Sequence, residues 1–280
     1  MHPVYVYIKK ELSPFYAEEE ASAMAKWISS DILHLSTLEL YTGKDMNFST
    51  KEWAELEDIL RRLKQREPLQ YILQEASFCG RSFHVEQGVL IPRPETEELV
   101  EWIVSDYRKA GQVRILDIGT GSGCIPVSLA QLLPEAQVSS CDVSAEALRI
   151  AAMNVKRYGD KVTLFCADIL KEELPECQVD VLVSNPPYIT ESERTDMEAN
   201  VLDWEPELAL FVPDSDPLRF YRRIARKGLD WLSEGGALYF EINRAYGAET
   251  MWMLEELGYR QIELRKDLSG NDRMIKAIRP

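Results

Sequence analysis

Histidine is scarce in this chain. There are only three, none in an H-E-x-x-H or comparable spacing, so a transition-metal site has little to be built from and no metal is expected. The five cysteines (Cys79, Cys124, Cys141, Cys166 and Cys177) are odd in number, well separated and free of any C-x-x-C pair, which predicts buried free thiols rather than a disulfide framework. Long apolar runs are missing too: no stretch approaches the roughly 18 to 20 residues a membrane span needs. The opening MHPVYVYIKKELSPFY has no apolar run leading to a small-residue cleavage site, so the reading is a cytoplasmic protein with no membrane partner. Positive charge is short as well. Against 47 acidic residues stand 32 basic ones, and the resulting −15 repels a polyanion, which argues against a direct nucleic-acid substrate. The local run Arg61, Arg62, Lys64 and Arg66 reads as the solvated, dipole-compatible last turn of a helix.

What is present is an ordinary globular composition, long enough at 280 residues for two modest domains. In the first 75 or so residues Met24, Trp27, Ile28, Ile32, Leu35 and Leu38 recur at three- and four-residue spacing, predicting one helix with a single apolar stripe. Ser49 with Glu52 three residues on is a capping box, and it opens a second helix carrying Trp53, Leu56, Ile59, Leu60 and Leu63. Between Phe78 and Ile91 short alternating segments punctuated by Gly80 and Gly88 predict a β-hairpin linker. Pro92 and Pro94 then start a helix expected to stop at Gly111. From Val113 onward strands and amphipathic helices alternate. That is the grammar of an α/β fold with a mostly parallel sheet covered on both faces. The division read from these changes is residues 1–75, 76–93 and 94–280. Within the last, the turn Gly235-Gly236 is expected to precede the strand ALYFEI.

The first strand of that alternation ends in Asp117, followed by Gly119, Thr120, Gly121, Ser122 and Gly123. Glycines there allow tight turning and close backbone approach to a ligand, while the next helix offers free N-terminal amides. A dinucleotide fingerprint would need Gly or Ala at 124 or 126, where Cys124 and Pro126 stand, so a nicotinamide site is disfavoured. Asp142 ends the second strand about twenty residues on, placed to accept from both hydroxyls of a ribose; helix capping is the competing reading. Asp168, followed by Ile169, ends the third strand near where this kind of fold holds adenine, and capping is the competing reading there too.

The fourth strand runs straight into Asn185, Pro186, Pro187 and Tyr188 at the carboxyl edge of the sheet. A planar amide or exocyclic amino nitrogen is a poor nucleophile and must be held and polarised. The Asn185 side-chain oxygen and the Pro186 carbonyl can accept the two N–H bonds of such a group. The prolines stiffen that carbonyl and add no competing donor. Tyr188 can stack on the planar group and exclude water. A strand-ending turn is the plain alternative.

The D-x-G-x-G-x-G arrangement resembles motif I of the S-adenosylmethionine methyltransferases. Together, LIPRPETEELV, LDIGTGSGCIPVSLA and VSNPPYI resemble the protein-(glutamine-N5) methyltransferases that act on bacterial peptide-chain release factors. The resemblance runs from about Phe78 to the C-terminus. It implies a Rossmann-like, seven-stranded class I methyltransferase domain, preceded by a small substrate-recognising helical domain and a hairpin linker. It also implies S-adenosyl-L-methionine as cofactor, held by the loop from Gly119 to Gly123, by Asp142, by Asp168 with Ile169, and by Asn185. The Asn185 to Tyr188 segment would hold the glutamine of the release factor's Gly-Gly-Gln loop. Two positions depart from the family pattern: Ile169 stands where an aromatic often contacts adenine, and Trp204-Glu205-Pro206 replaces Phe-Glu-Pro, keeping an aromatic lid. A glutamine methyltransferase of a ribosomal protein shares these motifs. An adenine-N6 DNA or RNA methyltransferase shares the acceptor loop but should bring a basic groove.

Overall fold

The computed structural model describes residues 1–43, 48–171 and 177–280, which divide into two compact units. The first holds residues 1–73 and 198–204. Its helices are α1 (Pro3–Leu12), α2 (Glu18–Trp27), α3 (Thr37–Thr42), α4 (Thr50–Lys64) and α5 (Leu69–Leu73). They close around Ile8, Leu12, Ile28, Leu56, Leu60 and Leu63, all but completely buried. The capping box of α4 forms as its spacing predicts: the Ser49 hydroxyl accepts from the Glu52 amide, and the Glu52 carboxylate accepts from the Ser49 amide at 2.7 Å.

The single helix expected across Met24 to Leu38 does not form. At Ile28–Ile32 the coil widens into a π turn closed by Leu33 N–H donating to Ile28, and His34 takes a left-handed φ of +53°. Ser36 then caps a new helix through Glu39. Leu35 is buried but Leu38 is 72 % exposed, because the break turns it off the stripe. At the break the Ser30 hydroxyl donates to the Trp27 carbonyl at 3.1 Å, the kind of side-chain bond that competes with the helical ladder. Three of the four basic residues at the end of α4 are paired within their own unit, Arg61 with Asp58, Arg62 with Glu67 and Lys64 with Glu11, and Arg66 lies over the Tyr16 ring.

The second unit holds residues 74–197 and 205–280. A hairpin of β1 (Glu75–Phe78) and β2 (Arg81–His84) leads to α6 (Pro94–Tyr107), which ends four residues short of Gly111. Then come β3 (Arg114–Ile118), α7 (Cys124–Leu132), β4 (Gln137–Asp142), α8 (Ala145–Arg157), β5 (Val162–Cys166), β6 (Val179–Ser184) and the short β7 (Ile189–Thr190). Helix α9 (Ala199–Trp204) groups with the first unit. The remainder is β8 (Phe211–Val212), α10 (Arg219–Trp231), β9 (Leu232–Glu241), α11 (Gly247–Glu256), β10 (Arg260–Lys266) and β11 (Asp272–Ile278).

Seven of these strands form one sheet in the order β10-β11-β9-β6-β3-β4-β5, in which β11 pairs antiparallel with both of its neighbours. Successive residues of the central strands face opposite sides, so Ile115, Val181 and Val183 pack under α6 and α7 while Leu116, Leu182 and Phe240 pack under α10 and α11. Strand β9 runs on through Gly235 and Gly236 instead of starting after them. The left-handed φ of +75° at Gly235 and the slipped pairing between Val179 and Val181 absorb the irregularity. Cys124 and Cys141 are buried, and burial pushes both thiols up to about 12; Cys166, at the end of β5, is exposed, contrary to expectation. Among the described residues no helix is long and apolar enough to cross a membrane.

Candidate active site

Strand order reverses between β3 and β6: the chain proceeds outward through β4 and β5 on one side and through β9 on the other. The carboxyl ends of β3 and β6 therefore diverge into loops that leave a crevice, the position where open α/β sheets take ligands. A cavity of about 290 Å³ lies there.

One wall is the glycine loop. Gly119, Gly121 and Gly123 have φ of +84°, +52° and +82°, a region closed to most side chains. At Gly119 and Gly121 an added Cβ would meet nothing, since both face open space, whereas at Gly123 it would press on Ala151 of α8. Two glycines thus leave backbone open to the cavity and the third lets the loop pack against α8. The loop is pinned from outside: the Gly119 and Thr120 amides donate to the Cys141 carbonyl, and the Asn154 side chain donates to the carbonyls of Ser122 and His84. Sequence reading passed over Asn154, a fully buried amide on an otherwise apolar helix face.

Asp142 both caps and faces the cavity. One of its oxygens accepts from the Gly121 amide at 3.0 Å and the other from the Ser144 amide at 2.9 Å. Each carboxylate oxygen keeps lone pairs for further donors, so the capping and ribose readings are compatible. Asp168 accepts from the Leu170 amide and also lines the cavity, where Ile169, Phe220 and Ile224 form an apolar wall. Thr120, Ser122, Asn185, Pro186 and Pro187 line it too, but Gly123 and Tyr188 do not. Nor does Trp204, the expected lid residue; Pro206, Leu208 and Ala209 take that place.

Asn185, Pro186, Pro187 and Tyr188 leave the end of β6 and are held by three residues to which sequence reading gave no role, one of them, Thr96, inside the stretch LIPRPETEELV. The Thr96 hydroxyl, in the first turn of α6, donates to Glu241 at 2.6 Å and receives a 3.2 Å hydrogen bond from the Asn185 side-chain nitrogen. The Tyr188 hydroxyl donates to the other Glu241 oxygen at 3.0 Å. Asn243, just beyond β9, donates to the Tyr188 carbonyl at 3.0 Å. Burial pushes the Glu241 carboxyl above its ordinary value, opposed by the hydrogen bonds from Thr96 and Tyr188 and by the charge of Arg273. A further ion pair, with only its carboxylate buried, lies at the rim: Arg93 donates to Glu205 at 2.5 Å, and the Ile91 amide donates to the other Glu205 oxygen.

Beneath the glycine loop Asp117 is fully buried and accepts from the Ser140 hydroxyl at 2.6 Å. Burial pushes its carboxyl up to about 7, the Ser140 hydrogen bond opposing and the charge of Asp142 adding to the shift. A carboxyl whose folded pKa is raised holds its proton in the folded state at a pH where the unfolded chain has lost it. Its stabilising contribution is therefore complete below the unfolded value near 4 and is lost as pH rises through about 7. Asp117→Asn should remove that loss, on the order of a few kcal/mol across the window. Thermal unfolding at pH 5 and pH 8 measures it: the variant should gain on the parent at pH 8 far more than at pH 5, and equal gains at both would contradict the assignment.

Similarity to known proteins agrees with this geometry. A family model described as methyltransferase small domain matches residues 96–203, and one described as PrmC N-terminal domain matches residues 6–73. The release factor glutamine methyltransferase of Bacteroides thetaiotaomicron is 50 % identical over 280 residues, covering 100 % of both chains. That of Flavobacterium psychrophilum is 42 % identical over 268 residues, covering 95 % of this chain and 94 % of its own. Among solved structures, a methyltransferase from Pyrococcus furiosus superposes with a TM-score of 0.52 at 16 % identity, covering 82 % of this chain and 98 % of its own. The hMettl16 catalytic domain does so with 0.57 at 16 % identity, covering 85 % and 84 %. At that identity the two structures speak only for the fold. The full-length relatives speak for more, and by them this chain belongs to the release factor glutamine methyltransferase family of S-adenosylmethionine-dependent enzymes.

Proposed function

We propose that this chain transfers a methyl group from S-adenosylmethionine to the side-chain amide nitrogen, N5, of the glutamine in the Gly-Gly-Gln loop of a peptide-chain release factor, in the cytoplasm. The observation that carries the reading is the fixed amide of Asn185 at the cavity wall, beside the Pro186 carbonyl and next to the open faces of Gly119 and Gly121.

The cavity suits the cofactor on its own terms. Backbone can approach closely at two glycines, a half-buried carboxylate faces the space, and Ile169, Phe220 and Ile224 offer an apolar wall for a purine. Phe220 on α10 would supply the aromatic surface that Ile169 does not. When bound, the cofactor supplies an electrophilic methyl carbon. The protein's part is to orient the acceptor: the Asn185 oxygen and the Pro186 carbonyl take the two N–H bonds of the glutamine amide, so that its nitrogen faces the methyl. Tyr188, absent from the cavity wall, serves this by anchoring the loop through Glu241 in place of stacking on the amide. Once methylated, the nitrogen is acidic enough to lose its proton to solvent, so no strong base is required.

Asp142→Ala should weaken cofactor binding by roughly 1.5 to 3 kcal/mol, the worth of charge-assisted hydrogen bonds to a ribose. Isothermal calorimetry with unaltered affinity would return Asp142 to capping alone. For the function itself, methyl-labelled cofactor is offered with intact release factor, ribosomal protein and DNA as separate acceptors. Label should enter only the release factor and vanish when its loop glutamine is changed to alanine. Label persisting in that alanine variant, or entering another acceptor instead, would overturn the proposal.

A further inference from the structure

Thr96 and Glu241 lie 145 residues apart and belong to neither the glycine loop nor the acceptor loop, yet they meet Asn185 in one chain of hydrogen bonds. The direction of that chain follows from what each group can give. Both oxygens of Glu241 are taken up as acceptors: the Thr96 hydroxyl donates to one at 2.6 Å and the Tyr188 hydroxyl to the other at 3.0 Å. With its one proton committed to Glu241, the Thr96 oxygen can only accept. The group it accepts from is the Asn185 NH₂ end, 3.2 Å away. The amide of Asn185 is thereby prevented from flipping, and its oxygen is left for whatever lies in the cavity.

We infer that Glu241 and Thr96 are positioning residues that fix which end of the Asn185 amide faces the acceptor, an inference that rests on the functional reading above. The stake is a sign. An Asn185 oxygen turned into the site accepts from a glutamine NH₂; an Asn185 nitrogen turned into it meets the same NH₂ donor to donor. Glu241 sets the Tyr188 hydroxyl by the same carboxylate, so one buried group orders both ends of the acceptor loop.

The order can be broken and then rebuilt in reverse. In Glu241→Gln the new NH₂ donates to the Thr96 oxygen, the Thr96 proton is freed towards Asn185, and the amide turns its oxygen inward, away from the site. In the double variant Asn185→Asp with Glu241→Gln the chain runs backwards but closes: glutamine donates to Thr96, Thr96 donates to one aspartate oxygen, and the other aspartate oxygen faces the cavity as an acceptor. A residue serving only to fill space gives no reason for the second change to repair the first.

The test uses the full chain and labelled cofactor, with kcat and KM for the intact release factor and cofactor affinity by calorimetry. Thr96→Ser, which keeps the hydroxyl, should stay near the parent. Thr96→Val and Glu241→Gln should each lower kcat by about 10-fold or more with KM and cofactor affinity little changed, the loss falling on transition-state orientation. The double variant should recover at least about 10-fold in kcat over Glu241→Gln alone. Equal kcat in Thr96→Val and Thr96→Ser, or a double variant no faster than its slower parent, would overturn the inference. Parent enzyme labelling only the ribosomal protein or DNA would instead overturn the acceptor assignment, and the same variants measured on that acceptor would then decide the positioning role.

Discussion

Asn185→Ala should lower turnover by about 10²- to 10³-fold while leaving cofactor binding nearly intact, the cost of removing one preorganised hydrogen-bond partner from a reacting group. The side chain is placed to act on the acceptor alone: its nitrogen is committed to Thr96, and its loop is fixed independently through Tyr188 and Asn243. Truncation at Asn185 therefore leaves the backbone and the Pro186 carbonyl where they are. Steady-state methylation of the intact release factor with calorimetry of the cofactor separates the two effects. Turnover within a few-fold of the parent would remove Asn185 from its assigned role, and a parallel loss of cofactor affinity would move it to the cofactor side.

The second large effect concerns the acceptor. A free glutamine or short Gly-Gly-Gln peptide offers the same amide as the intact factor, yet it should be poorer by about 10²-fold or more in kcat/KM, because contacts remote from the reacting nitrogen position it. We propose that such contacts fall to the helical unit of residues 1–73 and 198–204, none of whose described residues lines the cavity. An exposed glycine-flanked side chain can enter the slot at the end of β6, whereas one embedded in a helix or strand cannot. Comparable kcat/KM for peptide and factor would show that recognition stops at the loop.

Local chemistry made much of this legible in the sequence. Gly119, Gly121 and Gly123 announce themselves because three left-handed positions in five residues favour glycine, and Asn185 to Tyr188 because Asn-Pro-Pro-Tyr has few structural excuses. Asp142 was readable both as cap and as ligand group, and its two oxygens leave room for both. The helix across Met24 to Leu38 misled because apolar spacing persists through the π turn at Ile28–Ile32, and spacing alone does not register a change of direction. The partners of Asn185 stayed hidden for another reason. Thr96 reads as an ordinary first-turn residue of a helix, and Glu241 as the end of a strand. The one available signal was a carboxylate at the close of the apolar run ALYFEI, which burial makes costly unless something donates to it.

The place of β9 in the sheet bears on when the enzyme becomes competent during its own synthesis. The glycine loop, Asp142 and the acceptor loop have all left the ribosome once residue 188 has emerged, and β3 to β6 can pair among themselves. Glu241 and Asn243 come some fifty residues later, carried by the strand that must slot in beside β6. Until then Tyr188 lacks both of its partners and Thr96, though already made, lacks the carboxylate it donates to, so a nascent chain can carry a formed glycine loop while its acceptor loop is only partly anchored. Competence thus arrives late in translation, set by strand order and not by the order in which the catalytic motifs are made.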